Sequence, residues 1–124
     1  MCSFCNIEDE TLEHLFFECP VTFNFLQIVF DCLKRFYNCE MRKEHFMLGY
    51  LDQSIFFNLL IVIVKNYIYK CKLQNNKPNL LELKIKIKNY YTLEVYIARK
   101  NNKAAMLEEI WAPLKTVFPD FDLV

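Results

Sequence analysis

Leu80-Leu81-Glu82-Leu83-Lys84-Ile85-Lys86-Ile87-Lys88 is the stretch on which the fold class turns. Residues 81–88 alternate apolar with charged, the period of a half-buried strand, yet Leu80, Leu83, Ile87, Tyr90 and Tyr91 also share one helical face, which Ala98 extends. Periodicity alone leaves both readings open. No second run of comparable quality exists to pair with this one, and a lone strand has nowhere to place its backbone hydrogen bonds. One Gly and four Pro are also too few to punctuate a sandwich or barrel. The stretch is read as a helix and the chain as mainly α.

Working outward, Gln74-Asn75-Asn76-Lys77-Pro78-Asn79 is a loop signal. Before it, Ser54 caps a helix running to about Leu73. From Ile55 to Ile68 that helix is apolar almost all round, which marks it as the central one. Its last third interleaves Lys65, Lys70 and Lys72 with Tyr67 and Tyr69, so it leaves the core for a basic surface. Further upstream, Arg42 to Tyr50 predicts one or two turns ended by Gly49, with His45 read as an ordinary surface or satisfied histidine. Pro20 opens an earlier helix to about Tyr37, whose apolar stripe runs through Phe23, Phe25, Leu26, Val29, Phe30, Leu33 and Phe36. Downstream, Ala104 to about Phe118 is the last helix, kinked or ended by Pro113.

At 124 residues and 54% hydrophobic content, one domain with a sizeable core is expected. Net charge is zero but unevenly spread. Residues 1–62 carry four Lys/Arg against nine Asp/Glu, residues 63–124 eleven against six, and residues 65–103 ten against only Glu82 and Glu94. The longest apolar run, Leu59 to Val64, is far short of the roughly twenty residues a membrane span needs. With no span and no targeting segment, the expected setting is intracellular (cytoplasm, nucleus or both), reducing, and without a membrane partner. Cys32, Cys39 and Cys71 are then read as free thiols in or near the core, with an extra metal ligand as the lesser alternative.

Cys2, Cys5, His14 and Cys19 form the pattern Cys-x2-Cys-x8-His-x4-Cys, and three thiols with one imidazole are what tetrahedral Zn2+ takes. A disulfide framework is the rival, weakened by the absence of a leader and by a core too large to need staples. Asn6 to Glu10 reads as a polar loop, and Thr11 offers an N-cap hydroxyl for a helix beginning at Leu12. On an unbroken α-helix, His14 and Cys19 would point about 140 degrees apart. Pro20 removes that conflict, because the residue before proline is pushed out of the α region and Cys19 can turn back. Four protein donors leave no open coordination position, so the site is structural. The expected architecture is a small zinc-stabilised lobe (Cys3His) over residues 1–20, followed by a helical bundle over 21–124 in one compact unit with it.

Cys2-Ser-Phe-Cys5, followed by Glu10-Thr11-Leu-Glu-His14-Leu15-Phe16-Phe-Glu-Cys19-Pro20, resembles the zinc-binding segment downstream of the reverse transcriptase in non-LTR (LINE-type) retrotransposon polyproteins. The stretch from Leu59 to Lys72, Asn76-Lys77-Pro78, and Arg99-Lys100-Asn101-Asn102-Lys103 leading to Trp111 look like the helical tail of vertebrate elements in this group. The resemblance implies an auxiliary domain that helps the polyprotein hold RNA or DNA in target-primed reverse transcription. It departs from the whole polyprotein in lacking polymerase and endonuclease motifs, and Met1 directly before the first ligand suggests an isolated fragment.

For RNA or single-stranded DNA, the physical case is Lys65, Lys70, Lys72, Lys77, Lys84, Lys86, Lys88, Arg99, Lys100 and Lys103 as phosphate contacts. Tyr67, Tyr69, Tyr90, Tyr91 and Tyr96 supply candidate stacking faces. The bland alternative is that the lysines are solvated and the tyrosines core. The acidic first lobe is expected to organise rather than touch phosphate, and its ligand spacing is longer than that of retroviral zinc knuckles. The rival function is a protein-interaction or scaffolding module packing on the parent reverse transcriptase or on a host partner. No catalytic arrangement surrounds either histidine, so an enzyme is not expected.

Overall fold

A computed structural model describes residues 2, 4–7, 11, 14–34 and 55–118 of the chain. Among these residues all regular structure is helical: a π-helical turn His14–Glu18, then α1 (Pro20–Lys34), α2 (Ile55–Leu73), α3 (Leu80–Lys100), α4 (Ala104–Trp111) and α5 (Leu114–Val117). The mainly α expectation holds. The ambiguous stretch lies inside α3, where Leu83 and Ile87 are fully buried whereas Leu81 and Ile85 stand in solvent. Half of the alternating pattern is thus not used for burial, because only a 3.6-residue period keeps Leu80, Leu83, Ile87 and Tyr91 on the core side.

The central helix is α2. Phe56, Phe57, Leu60, Ile61, Ile63, Val64, Tyr67, Ile68 and Cys71 are buried on it, and it packs against α3 and α4. It is not buried all round, since Ile55 and Val62 are more than half exposed. Trp111 on α4 closes the hairpin of α2 and α3 with edge-on contacts to Phe56 (5.6 Å) and Tyr91 (5.3 Å). Helix α1 packs on α3 and α5, and its Phe25 ring lies 5.8 Å from that of Tyr67. As anticipated, Pro113 separates two helical pieces. Cys32 and Cys71 are buried thiols, neither of them in a disulfide. The predicted turns over 42–50, with His45, together with Cys39, Ser54 and the extension of α1 to Tyr37, lie outside the described residues.

Asparagine does the work of glycine in this chain. Asn75 and Asn102 sit at φ 56° and 57°, just past the ends of α2 and α3. In each case the next amide reaches back to the helix, Asn76 N–H to the Cys71 carbonyl (2.9 Å) and Lys103 N–H to that of Ala98 (2.8 Å). These are Schellman closures, which need a left-handed residue, and asparagine tolerates that region better than other side chains with a Cβ. Asn79 then caps α3, its Oδ1 accepting from Glu82 N–H at 2.8 Å. The Tyr67 hydroxyl secures the same residue, accepting from Asn79 N–H (3.0 Å) and donating to its carbonyl (3.3 Å). The six-residue loop is thus held at one end by the closure on Cys71 and at the other by Asn79.

Candidate metal centre and basic helices

Cys2, Cys5, His14 and Cys19 converge, their donor atoms all within 4.8 Å of one another, forming a group able to hold a metal ion. The Cys2 and Cys19 sulfurs are 3.9 Å apart, and Cys5 Sγ lies 3.3 Å from His14 Nε2. Cys2, His14 and Cys19 are buried, and Cys5 is partly open to solvent.

Local sequence produces each half of the cluster. The Cys2–Cys5 half is a tight turn in which Asn6 N–H bonds the Cys2 carbonyl (2.9 Å) and Asn6 itself adopts φ 58°. Phe4, inside the turn, is buried and ties it to the core. In the other half Thr11 caps as its hydroxyl predicts, accepting from His14 N–H at 3.0 Å. The winding differs from the expected α-helix: Cys19 N–H bonds the His14 carbonyl at 2.7 Å, an i→i+5 link. That wider turn returns Cys19 toward His14 instead of leaving it about 140 degrees away. Proline alone was expected to resolve the angular conflict; the π-turn shares that task.

Pro20 has a second effect. As the first residue of α1 it makes Cys19 the N-cap, and the backbone N–H groups of Val21 and Thr22 hydrogen-bond to the Cys19 thiol. Burial pushes that thiol above its ordinary value, the two amides oppose the shift, and the Cys2 thiol adds to it. A bound cation would instead favour thiolates, which the two amides then stabilise. Leu15 and Phe16 are buried in the same apolar cluster as the helices, so the lobe is continuous with the core.

Sequence reasoning left out Glu18, whose carboxylate lies 3.9 Å from His14 Nδ1, the ring nitrogen facing away from Cys5. That is too long for a hydrogen bond but places negative charge where metal-bound histidines usually present their second N–H. The signal for it was present in the four-residue spacing from His14.

The ten basic residues do not form one face. Lys70, Lys77, Lys86, Arg99, Lys100 and Lys103 are exposed, whereas Lys65, Lys72, Lys84 and Lys88 are half-buried. Lys84 and Lys88 each stand two residues from Lys86, about 160 degrees around α3, and the Lys84 ammonium lies 5.5 Å over the Phe118 ring. The tyrosines divide as well. Tyr67 is buried and hydrogen-bonded, and Tyr91 packs on Trp111, so neither offers a stacking face. Tyr69, Tyr90 and Tyr96 are exposed; Lys72 covers Tyr69 at 5.3 Å and Lys100 covers Tyr96 at 4.7 Å. No helix among the described residues is long and apolar enough to cross a membrane. Compared with protein-family models, curated proteins and solved structures, the chain matches none of them.

Proposed function

We propose that this chain is a non-catalytic zinc-binding helical module of the kind found beside non-LTR reverse transcriptases, and that it assists in holding RNA or single-stranded DNA. The observation that carries the zinc reading is the size of the donor cluster. Ideal Zn–S and Zn–N bonds give tetrahedral edges of about 3.8 Å between sulfurs and about 3.6 Å between sulfur and nitrogen. The 3.9 Å between the Cys2 and Cys19 sulfurs and the 3.3 Å from Cys5 to His14 lie within a few tenths of an ångström of these, and the remaining donor separations are no longer than 4.8 Å. Three thiolates and a neutral imidazole would fill the ion's coordination and leave it minus one in charge, which is a structural and not a hydrolytic centre. Bound zinc would join the turn before Asn6 to the start of α1, and through Leu15 and Phe16 to the core.

Nucleic-acid binding is supported by the charge of plus eight over residues 65–103, spread over α2, α3 and the segments that follow each of them. The resemblance of the His14 segment supports the reverse-transcriptase context, an intracellular one, with the parent polymerase as a partner. A mobility-shift series with structured RNA and with single-stranded DNA tests the reading. Binding at low salt that weakens steeply as salt rises is expected. A zinc-loaded chain that binds neither at low salt would overturn it in favour of a protein-interaction module, a reading favoured by Leu93 and Ile97, one turn apart on α3 and about half exposed.

A further inference from the structure

A groove of 160 Å³ runs between α2 and α3, walled by Val62 and Ile63 on one side and Tyr90 on the other. Lys70 and Lys86 stand on its two walls, and Asn66 lies between them and the apolar part. These polar groups are available. Among the described residues no carboxylate pairs with Lys70 or Lys86, and the Asn66 amide makes no hydrogen bond. Glu82, one turn before Lys86, is not within ion-pair distance of it. The Tyr90 ring, 41% exposed, is the one exposed tyrosine ring described here with neither an aromatic nor a cationic neighbour. Tyr67, at the groove floor, is committed to Asn79 and holds the wall in place.

We propose that this groove seats a single-stranded nucleic acid, one base lying on the Tyr90 ring and Val62 while Lys70 and Lys86 take neighbouring phosphates. The inference rests on the nucleic-acid reading above and gives it an address. Two unpaired ammonium groups beside a free aromatic face and a free amide match the repeating anion, ring and polar edge of an extended strand. The volume is well below the roughly 300 Å³ that encloses a drug-sized ligand, so the groove suits one ring of a longer polymer. An acidic peptide would satisfy the lysines but leave the Tyr90 face without a planar partner.

The test is fluorescence anisotropy of labelled oligo-dT and oligo-rU of about twelve nucleotides, a length within known single-strand site sizes, titrated with the zinc-loaded chain over a salt series. Removing two phosphate contacts flattens the salt slope by about 1.4, at roughly 0.7 per phosphate on single strands. Lys70→Gln with Lys86→Gln should show that change, while Lys34→Gln, an exposed lysine on α1 that does not line the groove, should leave the slope unchanged. Tyr90→Ala should weaken binding about tenfold and Tyr90→Phe should restore it, because stacking needs the ring and not the hydroxyl. Circular dichroism and zinc content, unchanged in every variant, exclude misfolding as the cause. If the chain binds the oligonucleotides but neither the Lys70/Lys86 pair nor Tyr90→Ala alters binding, the groove is wrong and the wider reading stands. If it binds no oligonucleotide, both fail. Loss of binding to a poly-glutamate probe, with oligonucleotide binding unaffected, would overturn the groove in favour of an acidic protein partner.

Discussion

The metal lobe and the hairpin of α2 and α3 are built on opposite principles. In the lobe, four donors from residues 2–19 meet within 4.8 Å, and among the described residues Phe4, Leu15 and Phe16 add apolar burial beyond the thiols. In the hairpin, buried residues from Phe56 to Cys71 belong to one apolar cluster with Leu83, Ile87 and Trp111. On the zinc reading proposed above, order in the lobe depends on an ion and on the protonation of its ligands. Order in the hairpin depends on area removed from water.

The largest effect expected from breaking this contrast is chelation. A strong zinc chelator should abolish amide-exchange protection over residues 14–19 and the first turn of α1, because structural zinc supplies folding free energy that three buried apolar side chains cannot replace. Protection along α2 and α3 should persist. If hydrogen exchange instead shows both regions opening together, the contrast is wrong and the chain is one cooperative unit held by its metal.

Next in size is Phe57→Ala. Phe57 is fully buried on α2, and truncation should destabilise by about 3–5 kcal/mol, read as a lower urea midpoint with Trp111 fluorescence as the probe. Zinc content should not change. A variant that loses metal in proportion to stability would show that the lobe takes its shape from the core.

The smallest effect is alkaline, and it sharpens the comparison because the two regions titrate in opposite directions. Burial raises the Tyr67 hydroxyl above its ordinary 10.0, opposed by its hydrogen bond at Asn79, and raises the Cys71 thiol above 9.0, opposed by its bond to Tyr67. Since the folded chain holds both protons more tightly than the unfolded one, their contribution is complete below those values and is lost as pH rises above them. The urea midpoint should fall above pH 9, and Tyr67→Phe with Cys71→Ala should flatten that fall while lowering the midpoint at neutral pH. The lobe should fail in acid instead, as protons compete for its ligands. A midpoint that is flat from pH 8 to 11 in the parent chain would contradict the alkaline half.

How much of this was legible varied along the chain. The central helix and the Pro113 break followed from apolar spacing and from proline's missing N–H, both of which are local signals. So was the grouping of Cys2, Cys5, His14 and Cys19, since ligand type and spacing carry their own chemistry. The winding of His14–Glu18 was not legible, because an i→i+5 turn differs from an α-turn only in which amide closes it. Nor was the division of the lysines. Lys84 and Lys86 look alike in sequence, and only the packing of α3 sets one over Phe118 and the other on the groove. A charge reversal at Lys84 and Lys88 would thus disturb packing as well as any phosphate contact, which makes Lys70 and Lys86 the cleaner pair to alter.

Metal analysis of the purified chain decides whether the four donors hold zinc. One equivalent is expected in the parent chain, with its loss in Cys5→Ser, the substitution at the most accessible ligand. Less than about a tenth of an equivalent in the parent, or the same zinc content in Cys5→Ser, would contradict it.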